Sequence, residues 1–416
     1  MNKIVIKGSV PLEGIINIDG AKNSIVALIP ASILSKSIVR IYNYPKISDV
    51  YVLIDILQEL SVSTKITNEY IEINSSNIKN TPLTTTKMGS LRASYYFMGA
   101  LLGLFKNTTL RLPGGCYLGP RPIDLHLKGF ETLNCRYDIN NELIYLQADK
   151  LIGKEIHFPF PSVGATINTM LAAVLAEGET TIYNAAKEPE IVDVANFLTQ
   201  MGAKISGAGT SIIKIIGVKE LHGTDYVVIP DRIEAGTYLI LGALLGNPLE
   251  IHRVNYLHLY AILTTLNKCG VKTYINDDKI IVYNSNKLLP TDIVTDVYPG
   301  FPTDLQQIIT TLLTQSHGIS TVTETIYSDR FQNCQELIKM GANIVINDNK
   351  VIIKGRTPLK GSEVVAKDLR GGASLAIAGL IAEGTTIINE AQHILRGYSN
   401  IIEKLQNVKA NIHMST

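Results

Sequence analysis

Residues 112–122, LPGGCYLGPRP, set one thiol, Cys116, between a Gly-Gly pair and a Gly-Pro-Arg-Pro run. So much glycine and proline is incompatible with helix or regular strand, so the thiol is carried on a loop. Two kinds of chemistry are open to it. Arg121, five residues on, favours the thiolate, a nucleophile and a target for alkylation, whereas a thiol that keeps its proton is an acid. The other cysteines, Cys135, Cys269 and Cys334, show no Cys-x-x-Cys spacing, so neither a zinc site nor a disulfide framework is indicated. They fall within or just after apolar helical stretches and read as small buried hydrophobes.

The remaining candidates stand at helix starts. Six stretches are almost wholly apolar along their bodies: 20–34, 89–103, 162–178, 231–246, 303–316 and 368–384. Helices of that kind are buried on all sides, which confines polar residues to their ends. At or near the starts stand Lys22 with Asn23, Arg92, Ser162, Arg232, Asp304, and Asp368 with Arg370. Taken singly, each is equally well explained as a cap or a solvated charge. A capping residue, however, is ordinarily Ser, Thr, Asp or Asn, and a cation at an N-terminus opposes the helix dipole. Basic residues at four of the six starts therefore point to an anionic ligand, which would resolve the conflict.

The elements that position these residues recur along the chain. LAEGETTIYNA (175–185) matches IAEGTTIINEA (381–391), and FLTQMGAKI (197–205) matches ELIKMGANI (336–344). The turn after the second helix of each unit is expected at Ser61, Asn134, Gly202, Gly270, Gly341 and Asn407, at intervals of 73, 68, 68, 71 and 66 residues. Six β-α-β-α-β-β units thus fill the chain, an α/β organisation. A unit of this size has too small a core to stand alone, so the six pack as one ring or as two groups of three.

With 38 Lys and Arg against 37 Asp and Glu, the 416-residue chain has a net charge of +1, which argues against binding nucleic acid or a membrane surface through a basic field. The start, MNKIVIKGSVPLEG, has no signal-peptide h-region, and no apolar run approaches the roughly 18 residues of a membrane span. The expectation is a soluble, cytoplasmic protein acting on small molecules, with no membrane insertion and no obligatory protein partner.

As a set, DGAKNS (19–24), LPGGCYLGPRPIDLH (112–126), SVGAT (162–166), EPEIVD (188–193), IPDRIE (229–234), FPTDLQ (301–306), DRF (329–331), DLR (368–370) and HILRGY (393–398) resemble the enolpyruvyl transferase family over essentially the full chain. The resemblance implies a two-domain inside-out α/β barrel with three repeats per domain. One domain spans 22–229 and carries the cysteine loop; the other comprises 1–21 and 230–416, and the active site is the cleft between them. It further implies transfer of the enolpyruvyl group of phosphoenolpyruvate to the 3-hydroxyl of UDP-N-acetylglucosamine, releasing phosphate by addition and elimination, with no cofactor or metal.

The same resemblance distributes roles. Cys116 is the acid or a covalent participant, on a loop able to close as a lid. Lys22, Arg121 and Arg396 surround the phosphate of phosphoenolpyruvate, Arg92 and Arg370 are further cleft arginines, and Arg330 is a carboxylate partner. Asp304 accepts the proton of the sugar hydroxyl. Asn23 binds the sugar or the tetrahedral intermediate, and Ile326 also contacts substrate. Arg121, Pro122, Ile123, Asp124 and Leu125, with Ser162, Val163 and Gly164, hold the uridine diphosphate, while Asp368 orients a cleft arginine. Two departures from the family pattern, Ser48 and Phe160 in place of lysines, bear on nucleotide affinity more than on the chemistry. A 5-enolpyruvylshikimate-3-phosphate synthase-like activity is the nearest alternative, opposed by the loop cysteine and GPRPIDLH. A non-catalytic scaffold or sensor on the same fold is the other.

Overall fold

A computed structural model describes residues 3–112 and 123–415, so Cys116, Arg121 and Pro122 lie outside the described residues. The third repeat shows the building plan. Strand Glu155–His157 leads into helix Val163–Ala173, and the chain returns as Glu179–Tyr183, parallel to the first strand. Helix Pro189–Gln200 follows, with proline in its first turn, where the missing N–H costs nothing. The hairpin Lys204–Ser206 and Ile212–Ile216 then completes an antiparallel edge. IIKII alternates exposed and buried, as a strand with one face on a core must.

The plan recurs in six sheets among the described residues, five of four strands and one of three. In the three-stranded sheet the parallel edge has shrunk to a single bridge between Leu83 and Leu110. Three repeats are completed by distant pieces of chain. Asp225–Val227 pairs in parallel with Ile38–Tyr42 in the first repeat. Leu12–Asn17 does the same with Gly246–His252 in the fourth, and Lys3–Lys7 lies inside the sheet of the sixth, between Thr385–Asn389 and Asn411–Ser415. The described residues accordingly form two compact units, one of residues 20–229 and one of residues 3–19 with 230–415.

Each unit is built around three core helices. We label them α1 (Lys22–Ser32), α2 (Tyr96–Phe105) and α3 (Val163–Ala173) in the 20–229 unit, and α4 (Arg232–Leu245), α5 (Gln306–Leu313) and α6 (Leu369–Ile381) in the other. In α1 every residue from Ser24 to Ser32 is buried, and in α6 every residue from Arg370 to Leu380. Packing between α2 and α3 is close enough to require glycine: a Cβ on Gly99 would stand 2.3 Å from the carbonyl oxygen of Asn168. The second apolar stretch is not one helix. Thr86–Ser90 and a 3-10 turn, Arg92–Tyr95, precede α2, because the Ser94 hydroxyl donates to the carbonyls of Met88 and Leu91 and diverts the chain. Arg92 therefore sits in the turn before a core helix rather than within one.

The turn residues after the second helices explain the repeat spacing. Ser61, Asn134, Gly202, Gly270 and Gly341 all have positive φ, the left-handed conformation that ends a helix. In the sixth repeat the expectation is corrected: Asn407 is the last helical residue, and the left-handed position is Lys409, 68 residues after Gly341. Cys135, Cys269 and Cys334 are buried free thiols. Burial pushes Cys135 up to about 11 and Cys334 up to about 12, and raises Cys269 in the same direction.

Candidate functional site

In the unit of residues 3–19 and 230–415, the N-termini of α5 and α6 meet at one carboxylate. Asp304 lies in the 3-10 turn Thr303–Leu305 that feeds α5. Its Oδ1 is 2.7 Å from Nη2 of Arg330 and its Oδ2 is 3.1 Å from Nη2 of Arg370. The arginine side chains are 5% and 3% exposed, whereas that of Asp304 is 26% exposed, so the carboxylate is the part of this cluster that solvent reaches. Arg370 stands 5.4 Å from the ring centre of Tyr398, whose hydroxyl pairs with Thr237 at 2.9 Å.

Among the described residues, the Asp368 carboxylate bonds no guanidinium. Its Oδ1 accepts from the main-chain N–H groups of Arg370 and Gly371, capping α6, and its Oδ2 accepts from Nε2 of Gln307. Asp231 caps α4 in the same way, through the N–H groups of Ile233 and Glu234. The conflict between cations and helix dipoles is thus met in part by the protein's own carboxylates, not solely by a ligand. Arg232 makes a cation–π contact with Tyr298, at 5.6 Å. Ile326 is exposed, with its N–H donated to Glu324, and Arg396 follows the short helix Gln392–Leu395, half-buried.

In the 20–229 unit, Lys22 opens α1 and its Nζ is 3.1 Å from Oδ2 of Asp49, a buried carboxylate in the first turn of helix Ser48–Glu59. Asn23 follows it, half-buried. Arg92 lies 5.8 Å from the ring centre of Tyr95. Ser162 caps α3, its Oγ accepting from Ala165 N at 3.3 Å, and Val163 and Gly164 form the first turn. A side chain at Gly164 would have to displace its neighbours, since a Cβ would stand 2.8 Å from His126 Cε1 and 2.9 Å from the Tyr95 hydroxyl. Helix Asp124–Thr132 begins beside half-buried Ile123 with Asp124 exposed. The Leu125 side chain is in the hydrophobic core, which leaves its main chain for a ligand. Ser48 and Phe160 are both exposed.

Three residues without an expected role hold this geometry in place. Asp49 partners Lys22 from 27 positions away. Glu324, fully buried, receives the N–H of Ile326. His126 is buried, and Asn168 fixes its tautomer. The Asn168 Oδ1 accepts from Gly99 N, so its Nδ2 donates to His126 Nδ1 at 2.8 Å and the ring proton is on Nε2. Burial, with Arg92 nearby, lowers this imidazole to about 3, so it is a neutral donor. Only His126 had a local signal, at the end of the PRPIDLH run; the two carboxylates are found through long-range packing alone.

Among the described residues no group of His, Cys, Asp and Glu could hold a metal ion, and no helix is long and apolar enough to cross a membrane. Residues 6–405 match the model of the family described as EPSP synthase (3-phosphoshikimate 1-carboxyvinyltransferase). A relative from Listeria innocua serovar 6a named UDP-N-acetylglucosamine 1-carboxyvinyltransferase 2 is 51% identical over 415 residues, covering 100% of this chain and 98% of its own. One of the same name from Bacillus subtilis strain 168 is 51% identical over 413 residues, covering 99% and 96%. The crystal structure of the enolpyruvyl transferase NikO from Streptomyces tendae shares the fold with a TM-score of 0.92 at 24% identity, over 100% of this chain and 99% of that one. EPSP synthase from Acinetobacter baumannii shares it with a TM-score of 0.77 at 18% identity, over the whole of both chains.

Proposed function

Because the chain belongs to the enolpyruvyl transferase family, we propose that it transfers the enolpyruvyl group of phosphoenolpyruvate to the 3-hydroxyl of UDP-N-acetylglucosamine, the opening step of peptidoglycan synthesis. The observation that carries this reading is the 51% identity with the Listeria innocua relative, which runs through the whole chain. In the addition step the methylene carbon of phosphoenolpyruvate gains a proton and the sugar oxygen bonds to the adjacent carbon. In the elimination step a proton leaves the new methyl group and phosphate departs, restoring the double bond.

The residues divide this work. Asp304, partly exposed and held by two buried guanidiniums, takes the proton of the sugar hydroxyl. Lys22, Arg121 and Arg396 bind the phosphate of phosphoenolpyruvate, and Arg92 and Arg370 add positive field as charge develops. Cys116 supplies the proton for the methylene carbon, and as a thiolate it is the point of attack for an anionic epoxide such as fosfomycin. The first turn of α3 offers main-chain N–H groups to the diphosphate, with Ile123 to Leu125 beside it and Ile326 and Asn23 on the sugar. Both substrates are metabolites of the cell interior, which supports a cytoplasmic location. Without the lysines usual at positions 48 and 160, nucleotide binding is weaker while the chemistry is kept.

Phosphate release tests the reading. Purified protein mixed with phosphoenolpyruvate and UDP-N-acetylglucosamine should release phosphate, and shikimate 3-phosphate in place of the sugar nucleotide should give none. Release with shikimate 3-phosphate alone would transfer the chain to the EPSP synthase activity. No release with either acceptor would leave a scaffold or sensor.

A further inference from the structure

Glu324 lies just beyond strand Ile319–Thr323, is 1% exposed, and is surrounded entirely by donors. Its Oε1 accepts from the Thr295 hydroxyl at 2.7 Å and from the main-chain N–H groups of Ile326 and Tyr327 at 2.8 and 2.9 Å. Its Oε2 accepts from the Thr303 hydroxyl at 2.8 Å. That hydroxyl has a fixed direction. Arg330 can only donate, and its Nη1 stands 2.8 Å from Thr303 Oγ1, so the threonine accepts from the arginine and gives its own proton to Glu324. The other arm of the same guanidinium, Nη2, donates to Asp304. A directed chain therefore runs from a buried carboxylate, through one hydroxyl and one guanidinium, to the carboxylate assigned as the base.

Main-chain bonds hold the origin of this chain. The N–H of Glu324 donates to the Asn349 carbonyl at 2.8 Å, and Asn349 Nδ2 donates back to the Glu324 carbonyl at 3.1 Å. Thr295 and Thr325 bond each other twice, so the strand edge carrying Glu324 cannot shift independently of its neighbour. The charges alternate along the chain: Glu324, Arg330, Asp304, Arg370. An isolated carboxylate between two guanidiniums faces an excess of positive field, which makes it a poorer proton acceptor. A second carboxylate on the far side of Arg330 offsets that field.

We propose that Glu324 is a positioning residue for the transfer reaction, fixing Asp304 through Thr303 and Arg330 and fixing the substrate-contacting segment at Ile326 through its main-chain N–H. The inference rests on the reading of Asp304 as the base. Glu324 touches no reacting atom, and breaking only its link to Thr303 leaves the Ile326 segment held, so that effect appears on turnover and not on substrate binding.

Thr303→Val breaks the chain at one atom with little change in volume. It should lower kcat roughly ten- to a hundredfold, while the Kd for UDP-N-acetylglucosamine and the KM for phosphoenolpyruvate stay within about twofold. Thr303→Ser, which restores the hydroxyl, should recover kcat to within about threefold of wild type. Glu324→Gln changes no volume, and it carries the same reading should Thr303→Val fail to fold. Its amide oxygen can serve the three donors around Oε1, but its NH2 then meets Thr303 where an acceptor is needed.

Glu324→Gln also removes a negative charge. Asp304 is faced by Arg330 and Arg370, with Tyr398 and Asp231 bearing on Arg370, so net positive field on Asp304 increases. The acid limb of the kcat profile should move to lower pH by about half a unit while the plateau falls. A purely structural role would lower melting temperature or binding without moving that limb. Wild-type kcat and an unmoved limb in both Thr303→Val and Glu324→Gln, with Asp304→Asn inactive, would overturn the positioning role and leave the base assignment standing. Full turnover by Asp304→Asn would instead overturn the base assignment itself.

Discussion

The two trios of core helices are built on one plan and used differently. At the start of α3 the cap is a serine, the first turn contains Gly164, and the buried imidazole beside it is neutral. Main-chain N–H groups are left as the principal donors there, with Lys22 and its buried partner Asp49 at the start of α1. At α4 and α6 the caps are Asp231 and Asp368, each closing two N–H groups, and charge is concentrated on Asp304 between two buried arginines. The residue at the cap decides the use. A neutral cap keeps the helix end open to an anion, whereas an aspartate cap satisfies that end and frees neighbouring side chains to shape a carboxylate.

If the Asp304 cluster is internally balanced, removing a cation from it should be costly. Arg370→Ala removes one of the two buried guanidiniums described on Asp304 and opens the space above Tyr398, and we expect a loss of about 3–5 kcal/mol in unfolding free energy, read by denaturant titration. Less than about 1 kcal/mol would mean that the cluster is held by solvent rather than by charge pairing. Lys22→Ala belongs to the other regime. It should cost about 1.5–3 kcal/mol in the use of phosphoenolpyruvate, seen as a change in its KM, with less effect on stability. An unchanged phosphoenolpyruvate dependence would place the anion elsewhere.

His126 sharpens the contrast through pH. Neutral when folded and chargeable near 6.5 when unfolded, it binds a proton on unfolding anywhere between pH 6.5 and about 3. Stability is therefore lost as pH falls through that window and is untouched above it. At pH 5 the loss is about 2 kcal/mol, from 1.5 pH units at about 1.4 kcal/mol each. His126→Gln keeps an acceptor for Asn168 and should flatten this part of the stability profile; parallel profiles would contradict the buried neutral ring. The smallest effect is expected from Asp368→Ala, about 1 kcal/mol for a lost cap, measured as a fall in Tm with little change in phosphoenolpyruvate KM. A change in KM of tenfold or more would restore a direct role in orienting an arginine.

The repeat was legible because its signals are local. A left-handed residue after each second helix demands Gly, Asn or a tolerant polar residue, so Ser61, Asn134, Gly202, Gly270 and Gly341 mark the period. Lys409 carries no such mark, and the last turn was therefore placed two residues early. Helix starts were legible for the same reason, since an apolar helix leaves its polar residues only at the ends. What the side chains do there was not legible. Asp49 is 27 residues from Lys22, and Arg370 is 66 residues from Asp304, so both pairings follow from how repeats pack. Glu324 carries no local signal at the end of its strand and is fully buried. Leu125, in the segment expected to hold the uridine diphosphate, has its side chain in the hydrophobic core, which spacing from Cys116 could not reveal.

Asp304→Asn tests most directly the claim that one helix cluster carries the base while the other cradles the anions. The amide keeps size and hydrogen-bonding capacity but cannot accept a proton. On one preparation, UDP-N-acetylglucosamine binding should match wild type within about threefold while phosphate release falls by roughly 10²–10⁴. Phosphate release near the wild-type rate, or loss of binding in proportion to loss of turnover, would contradict the account.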